Sequence, residues 1–211
     1  MNAYERVFEN TLKIISELEG RLCANTPSDS VFSRSRPFII AIDGRCASGK
    51  TTLAAQLKRA IEERFSTRVN LFHMDDFFLR PEQRTEKRYA TPGENVDHER
   101  FYSEVLTPLL DDAEFSYRPF DCEKMRLAAP VNVKPAPVAI IEGSYSCHDA
   151  LYESYGLRVF LSVEPNVQKR RILLRNGEEK LRQFIEKWIP YEEAYFDACA
   201  VKARCDIILD G

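Results

Sequence analysis

The sequence predicts an α/β layered fold built on a mainly parallel five-stranded sheet flanked by helices. Three observations predict it. Short apolar runs recur along the chain: "PFIIAIDG", "RVNLFHM", "PVAIIEG", "LRVFLSVE" and "CDIIL". These runs are continuous rather than alternating, which is the pattern of strands buried on both faces. Segments with helical periodicity separate most of them, and strands alternating with helices specify a parallel sheet with crossover helices.

Taken in order, the first element is an N-terminal amphipathic helix. Val7, Leu12, Ile15, Leu18 and Leu22 recur at helical spacing, and the helix should end near Asn25. The polar stretch "NTPSDSVFSRSR" reads as a linker, so residues 1–36 form a helix and linker and residues 37–211 form the domain proper. After the first strand comes "KTTLAAQLKRAIEERF", a helix. After the second, "VDHERFYSEVLTPLLDD" is helical and "EFSYRPFD" extended. After the fourth, "NVQKRRILLRN" and "EEKLRQFIEKWIPYEEAYFDACAVKA" are helical, and "CDIIL" closes the sheet. The N-terminal helix has two expected roles: covering the sheet, or making a contact in a homo-oligomer.

Composition limits the function. At 211 residues the chain is long enough for a core without disulfides or a structural metal. A net charge of -3 gives no basis for binding nucleic acid. No apolar run approaches the length of a membrane span, and the N-terminus lacks the apolar centre of a signal peptide. The six cysteines are scattered with no CxxC pair, which reads as reduced thiols in a cytoplasmic protein.

The strongest chemical signal is "GRCASGKT", Gly44 to Thr51, which fits G-x-x-x-x-G-K-[ST]. It follows an apolar strand and opens a helix, the context the motif needs, and it specifies a P-loop NTPase fold. Amides of Gly44, Arg45, Cys46, Ala47, Ser48, Gly49, Lys50, Thr51 and Thr52 would wrap the phosphates at the helix N-terminus. Lys50 would reach the β- and γ-phosphates, and the Thr51 hydroxyl would bind Mg²⁺. "VAIIEG" then offers Glu142, a strand-end acid placed to help hold that metal. "HMDDFFLRP" ends the second strand on the same edge of the sheet. An Asp there, Asp75 or Asp76, could accept a hydrogen bond or proton from an acceptor hydroxyl close to the metal, the other serving as a cap of the following turn. The two phenylalanines would pack beneath Asp75 or line the acceptor pocket. His73 and Trp188 read as packed residues. Arg171 and Arg175 share one helix face in the basic stretch "QKRRILLRNG".

These motifs stand in the order found in the uridine kinase and phosphoribulokinase group of P-loop kinases, which the chain resembles from Pro37 to Gly211. "DDFF" followed by Pro81, and "KWIPYEEAY", are also similar to nicotinamide riboside kinases. The resemblance implies ATP and Mg²⁺ as cofactors and a nucleoside-like small molecule as partner, phosphorylated on its 5′-hydroxyl. It implies that Asp75 is the base and that Glu142 helps hold the metal. Asp97 of "NVDHERF" would bind ribose hydroxyls, and Phe120 or Tyr117 of "YRPFD" would stack on the base. A lid at about residues 166–180 would bring Arg171 and Arg175 over the phosphates.

Two departures stand out. The lid is short ("RNGEE"), and "CEKMR" occupies the place of a base-reading histidine, leaving His148 as a substitute. They keep other acceptors in view: nicotinamide riboside, pantothenate or a sugar phosphate. A regulatory NTPase with no small-molecule acceptor is the reading from another class.

Overall fold

The structure is a computed structural model, and residues 2–25 and 36–211 are described. The linker expected at 25–36 lies almost wholly outside the described residues. Five strands form the main sheet in the order β2-β7-β1-β8-β9, every pair parallel. They are β1 (Phe38–Gly44), β2 (Val69–His73), β7 (Val138–Glu142), β8 (Leu157–Ser162) and β9 (Ile207–Asp210). All five were expected, and the sheet is parallel throughout. Four short strands, β3 (Phe115–Tyr117), β4 (Phe120–Asp121), β5 (Arg126–Leu127) and β6 (Val131–Val133), pair antiparallel as two separate hairpin-like ribbons.

Alternation within each strand divides the core in two. Ile39, Ala41, Ala139 and Ile141 face one cluster with Phe72, Phe101 and Tyr195. Ile40, Ile42, Val138 and Ile140 face the other, with Leu53, Leu57 and Ile61 of α2 (Lys50–Phe65). Both sets are buried, which is why the strands read as unbroken apolar runs.

Helix α1 (Ala3–Asn25) covers the second face, burying Ile14, Leu18 and Leu22 against α2 and the sheet. The expected stripe is shifted at one place: Leu12 is 52% exposed, and Ile14 takes the buried position. Tyr4, Phe8 and Leu12, at i, i+4 and i+8, form an apolar line open to solvent.

On the opposite face lie α3 (Glu86–Ala90), α4 (His98–Phe101), which runs through a π-turn into α5 (Thr107–Leu110), and α6 (Asp149–Tyr152). Helix α7 (Pro165–Gln183) is broken at Gly177, whose φ of 81° and ψ of 175° are not helical. It continues through a π-turn to α8 (Ile189–Ala198) and α9 (Val201–Arg204).

Candidate active site

The register aligns the carboxyl ends of the three strands that carry the chemical motifs. Ile42 and His73 both lie beside Glu142, so the P-loop, Glu142 and the "DD" turn emerge at one edge. Ligands of open parallel sheets bind at that edge. A cleft of about 1120 Å³ opens there. Its walls include Cys46 through Leu53, Asp75, Glu142, Arg171 and Arg175.

The P-loop is held by several interactions. Gly44 (φ 135°) passes Leu161 so closely that a Cβ would fall 2.1 Å from its carbonyl oxygen, so only glycine fits. Lys50 donates to the carbonyls of Gly44 (2.7 Å) and Arg45 (2.9 Å), and weakly to Ser144 Oγ (3.3 Å). Behind the loop, the buried Asp43 carboxylate accepts from the amides of Gly44, Tyr145 and Cys147 and from the Tyr195 hydroxyl. Burial pushes its pKa up to about 6, against those hydrogen bonds and the Lys50 charge.

Two consecutive acids of α8 grip the same loop. Glu192 accepts from the Cys46 amide (3.0 Å) and from Ser144 Oγ (2.5 Å). Glu193 makes a two-pronged pair with Arg45 at 2.7 and 3.0 Å. The Arg45 side chain is thereby turned away from the cleft, leaving its backbone amide for the phosphate contact expected of it. Asp43, Ser144 and Glu192 were not anticipated. An acid before the first glycine of the loop was a visible signal for Asp43; nothing local marked the other two.

The Thr51 hydroxyl and the Glu142 carboxylate stand together. Thr51 Oγ1 donates to Glu142 Oε1 (3.1 Å), and Glu142 is only 4% exposed. His73 Nδ1 stands 2.5 Å from the same oxygen, and that hydrogen bond raises the imidazole pKa against the effect of burial. His73 therefore supports the strand-end acid rather than merely packing. Glu142 Oε2 has no hydrogen bond among the described residues, so an oxygen pair suited to a hard cation remains available.

Asp75 lies in the 3₁₀ turn Met74–Phe77 and opens into the cleft, accepting no hydrogen bond among the described residues. The protein around it raises its pKa, as do Glu142 and Glu192, while Lys50 lowers it. Asp76 points away, accepting from Tyr117 (3.1 Å). The phenylalanines divide the two expected roles: Phe77 is fully buried against Phe101 and Tyr117, and Phe78 lines the cleft.

Helix α7 delivers Arg171 to the P-loop carbonyls of Ala47 and Ser48 (3.1 and 3.2 Å). Arg175 borders the cleft, hydrogen-bonded to its neighbour Asn176.

The expected base-recognition residues are not on the cleft wall. Tyr117 is core, stacked on Phe77 (5.4 Å, 25°). Phe120 is buried beneath the Arg84 guanidinium. His148 sits behind Gly93, stacked on His98 at 4.0 Å. Glu94, His98 and His148 bring three ligand-type atoms within 4.8 Å of one another. The two imidazoles are nearly parallel (16°), so their in-plane lone pairs do not converge, and Glu94 Oε2 already faces Arg88. This is a packed polar cluster.

Asp97 is 1% exposed and caps α4 through Oδ1. Its Oδ2 has no hydrogen bond among the described residues and lies 3.6 Å from Arg80 Nε. In place of the expected residues, Arg84, Tyr89, Cys122 and Trp188 form that wall. Trp188 is thus a cleft residue and not core. Tyr89, Trp188 and Tyr191 surround the Lys187 ammonium at 4.5, 4.7 and 6.0 Å.

No family model matches the chain. A uridine kinase of Deinococcus deserti is 29% identical over 188 residues, covering 82% of this chain and 87% of that protein. Uridine kinase-like protein 4 of Arabidopsis thaliana is 26% identical over 204 residues, and the alignment spans 42% of that longer protein. The structure of a possible uridine kinase from Bacillus stearothermophilus superimposes over the whole of both chains with a TM-score of 0.69 at 20% identity, a likeness of fold. With the P-loop, the strand-end acid and the parallel sheet in place, the chain is similar in sequence to uridine kinases and shares the fold of P-loop kinases.

Proposed function

We propose that the protein transfers the γ-phosphoryl group of ATP to the 5′-hydroxyl of a nucleoside of the uridine or cytidine type. The observation that carries the reading is Asp75. It is the open carboxylate of a cleft whose other end is a complete P-loop, and it feels the charges of Lys50 and Glu142.

The mechanism follows from what each residue can do. P-loop amides and Lys50 hold the phosphates and offset their charge. Thr51 and Glu142, with Asp75 nearby, would hold Mg²⁺, which would supply positive charge to offset that of the phosphates. Asp75 accepts a hydrogen bond from the acceptor hydroxyl, aligns it in line with the γ-phosphorus and takes its proton as the bond to the leaving oxygen breaks. A weak base suffices, because phosphoryl transfer has a loose transition state. Arg171 and Arg175 cover the phosphates, and closure of the lid keeps out water, the competing acceptor. Asp97 is the candidate for a ribose hydroxyl, its Oδ2 making no hydrogen bond among the described residues beside the Arg80 charge and its backbone tied to Phe77 near Asp75.

The five cysteines whose side chains are described are free thiols, which supports a cytoplasmic location. No helix among the described residues is long and apolar enough to cross a membrane.

The test is ADP release by the purified protein with ATP, Mg²⁺ and one alcohol at a time: uridine, cytidine, nicotinamide riboside, pantothenate or ribulose 5-phosphate. Uridine or cytidine should give the highest kcat/KM, with a 5′-monophosphate identified by mass. A preference for another alcohol would replace the acceptor and keep the chemistry. Slow ADP release independent of every alcohol would contradict the kinase reading.

A further inference from the structure

We infer that the N-terminal helix α1 forms part of the binding site for the purine base of the nucleotide donor, with Asn10 favouring adenine. The inference rests on the phosphoryl-transfer reading and goes beyond it, because that reading gives α1 no role.

Direction follows from the sheet. Attacking and leaving oxygens lie roughly in line on opposite sides of the transferred phosphorus. The acceptor end is fixed by Asp75, just after β2 at one edge of the sheet, and the P-loop follows the central β1. The donor's nucleoside must therefore leave the P-loop away from β2, toward β8 and β9. The end of β9 touches the P-loop there: a Cβ on Gly211 would fall 2.0 Å from the Ser48 carbonyl oxygen.

Helix α1 is fastened at this place. Arg6 Nη1 donates to the Gly211 carbonyl (2.7 Å), and Asn10 Nδ2 donates to the Asp210 carbonyl (3.0 Å). Tyr4, Arg6, Val7 and Asn10 line the same cleft as the P-loop, together with Thr52 and Gln56 of α2.

The chemistry of this wall suits a flat base bearing an amine. Val7 and Tyr4 offer apolar surface, and Arg6 offers a planar guanidinium for stacking. Asn10 is 5% exposed, with its amide nitrogen committed to Asp210, and no hydrogen bond to its Oδ1 comes from the described residues. A free carbonyl oxygen accepts from the 6-amino group of adenine, whereas the 6-oxo group of guanine would set acceptor against acceptor.

The experiment is calorimetric titration of the full chain with ATP, GTP and inorganic tripolyphosphate, the last reporting on the P-loop without a base. The wild type should bind ATP more tightly than GTP or tripolyphosphate. Asn10→Ala should weaken ATP about tenfold while leaving tripolyphosphate unchanged, and should narrow the gap between ATP and GTP. Tyr4→Ala, at a position 74% exposed and so without a folding role, should weaken ATP by about threefold, again sparing tripolyphosphate. Unchanged ATP affinity in both variants would overturn the inference, as would equal loss for ATP and tripolyphosphate. If the wild type binds tripolyphosphate as tightly as ATP, the P-loop reading survives and the role of α1 falls. If it binds neither, the P-loop reading fails and takes the inference with it.

Discussion

At the phosphate end of the cleft, Lys50 has three acceptors, Asp43 ties four donors together behind the loop, and Glu192 and Glu193 clamp it from α8. At the acceptor end, Asp75 accepts no hydrogen bond among the described residues, and the wall consists of half-buried side chains such as Tyr89 and Trp188. The difference follows from the tasks. A triphosphate needs a fixed array of donors whose orientation costs nothing at the moment of reaction. An acceptor hydroxyl needs an unoccupied base and a wall that closes around it. Rigidity is concentrated where the ligand is most highly charged, and freedom where specificity is set.

Breaking the rigid end should have the largest effect. Lys50→Ala should lower turnover by roughly 10²–10³-fold and also weaken ATP binding, as steady-state kinetics and calorimetry would show. Retained ATP affinity would mean that the phosphates are held elsewhere.

Glu192→Ala tests the clamp itself. It leaves the Cys46 amide without its acceptor, a cost of about 1–3 kcal/mol. We expect a lower melting temperature and an ATP KM raised by about tenfold. An unchanged melting temperature would show that α8 does not support the loop.

The smallest change is expected at the open end. Trp188→Ala should raise the acceptor KM by about threefold to tenfold while leaving the ATP KM alone. Equal shifts in both constants would show that the two ends are not separate in function.

The sheet and P-loop were legible because each rests on local sequence. Strands buried on both faces leave continuous apolar runs, and the phosphate loop needs its glycines, lysine and threonine within eight consecutive positions. Glu142 and Asp75 were legible as acids ending such strands. The remainder depended on distant partners. Glu192 lies 146 residues from Cys46, and no spacing rule links them. Tyr117 and Phe120 were expected on the base, but an aromatic in a short ribbon can turn to either side, and here burial against Phe77 and Arg84 decides it. Leu12 fitted a helical apolar stripe and still faces solvent, because the burial of Ile14, Leu18 and Leu22 sets the rotation of α1. His73 looked like packing, because its partner Glu142 lies on a strand 69 residues away.

Asp75 as the base is the central claim, and acceptor-dependent ADP formation measured against pH in the wild type and in Asp75→Asn tests it most directly. Asp75 acts ionised, and its surroundings raise its pKa above the ordinary 3.8. The wild-type rate should therefore fall as pH drops through that raised value, giving an acid limb above pH 3.8. Asp75→Asn should lose about 10²–10⁴ in kcat, lose that limb and bind ATP as before. A variant that keeps near wild-type turnover with the same acid limb would contradict the account.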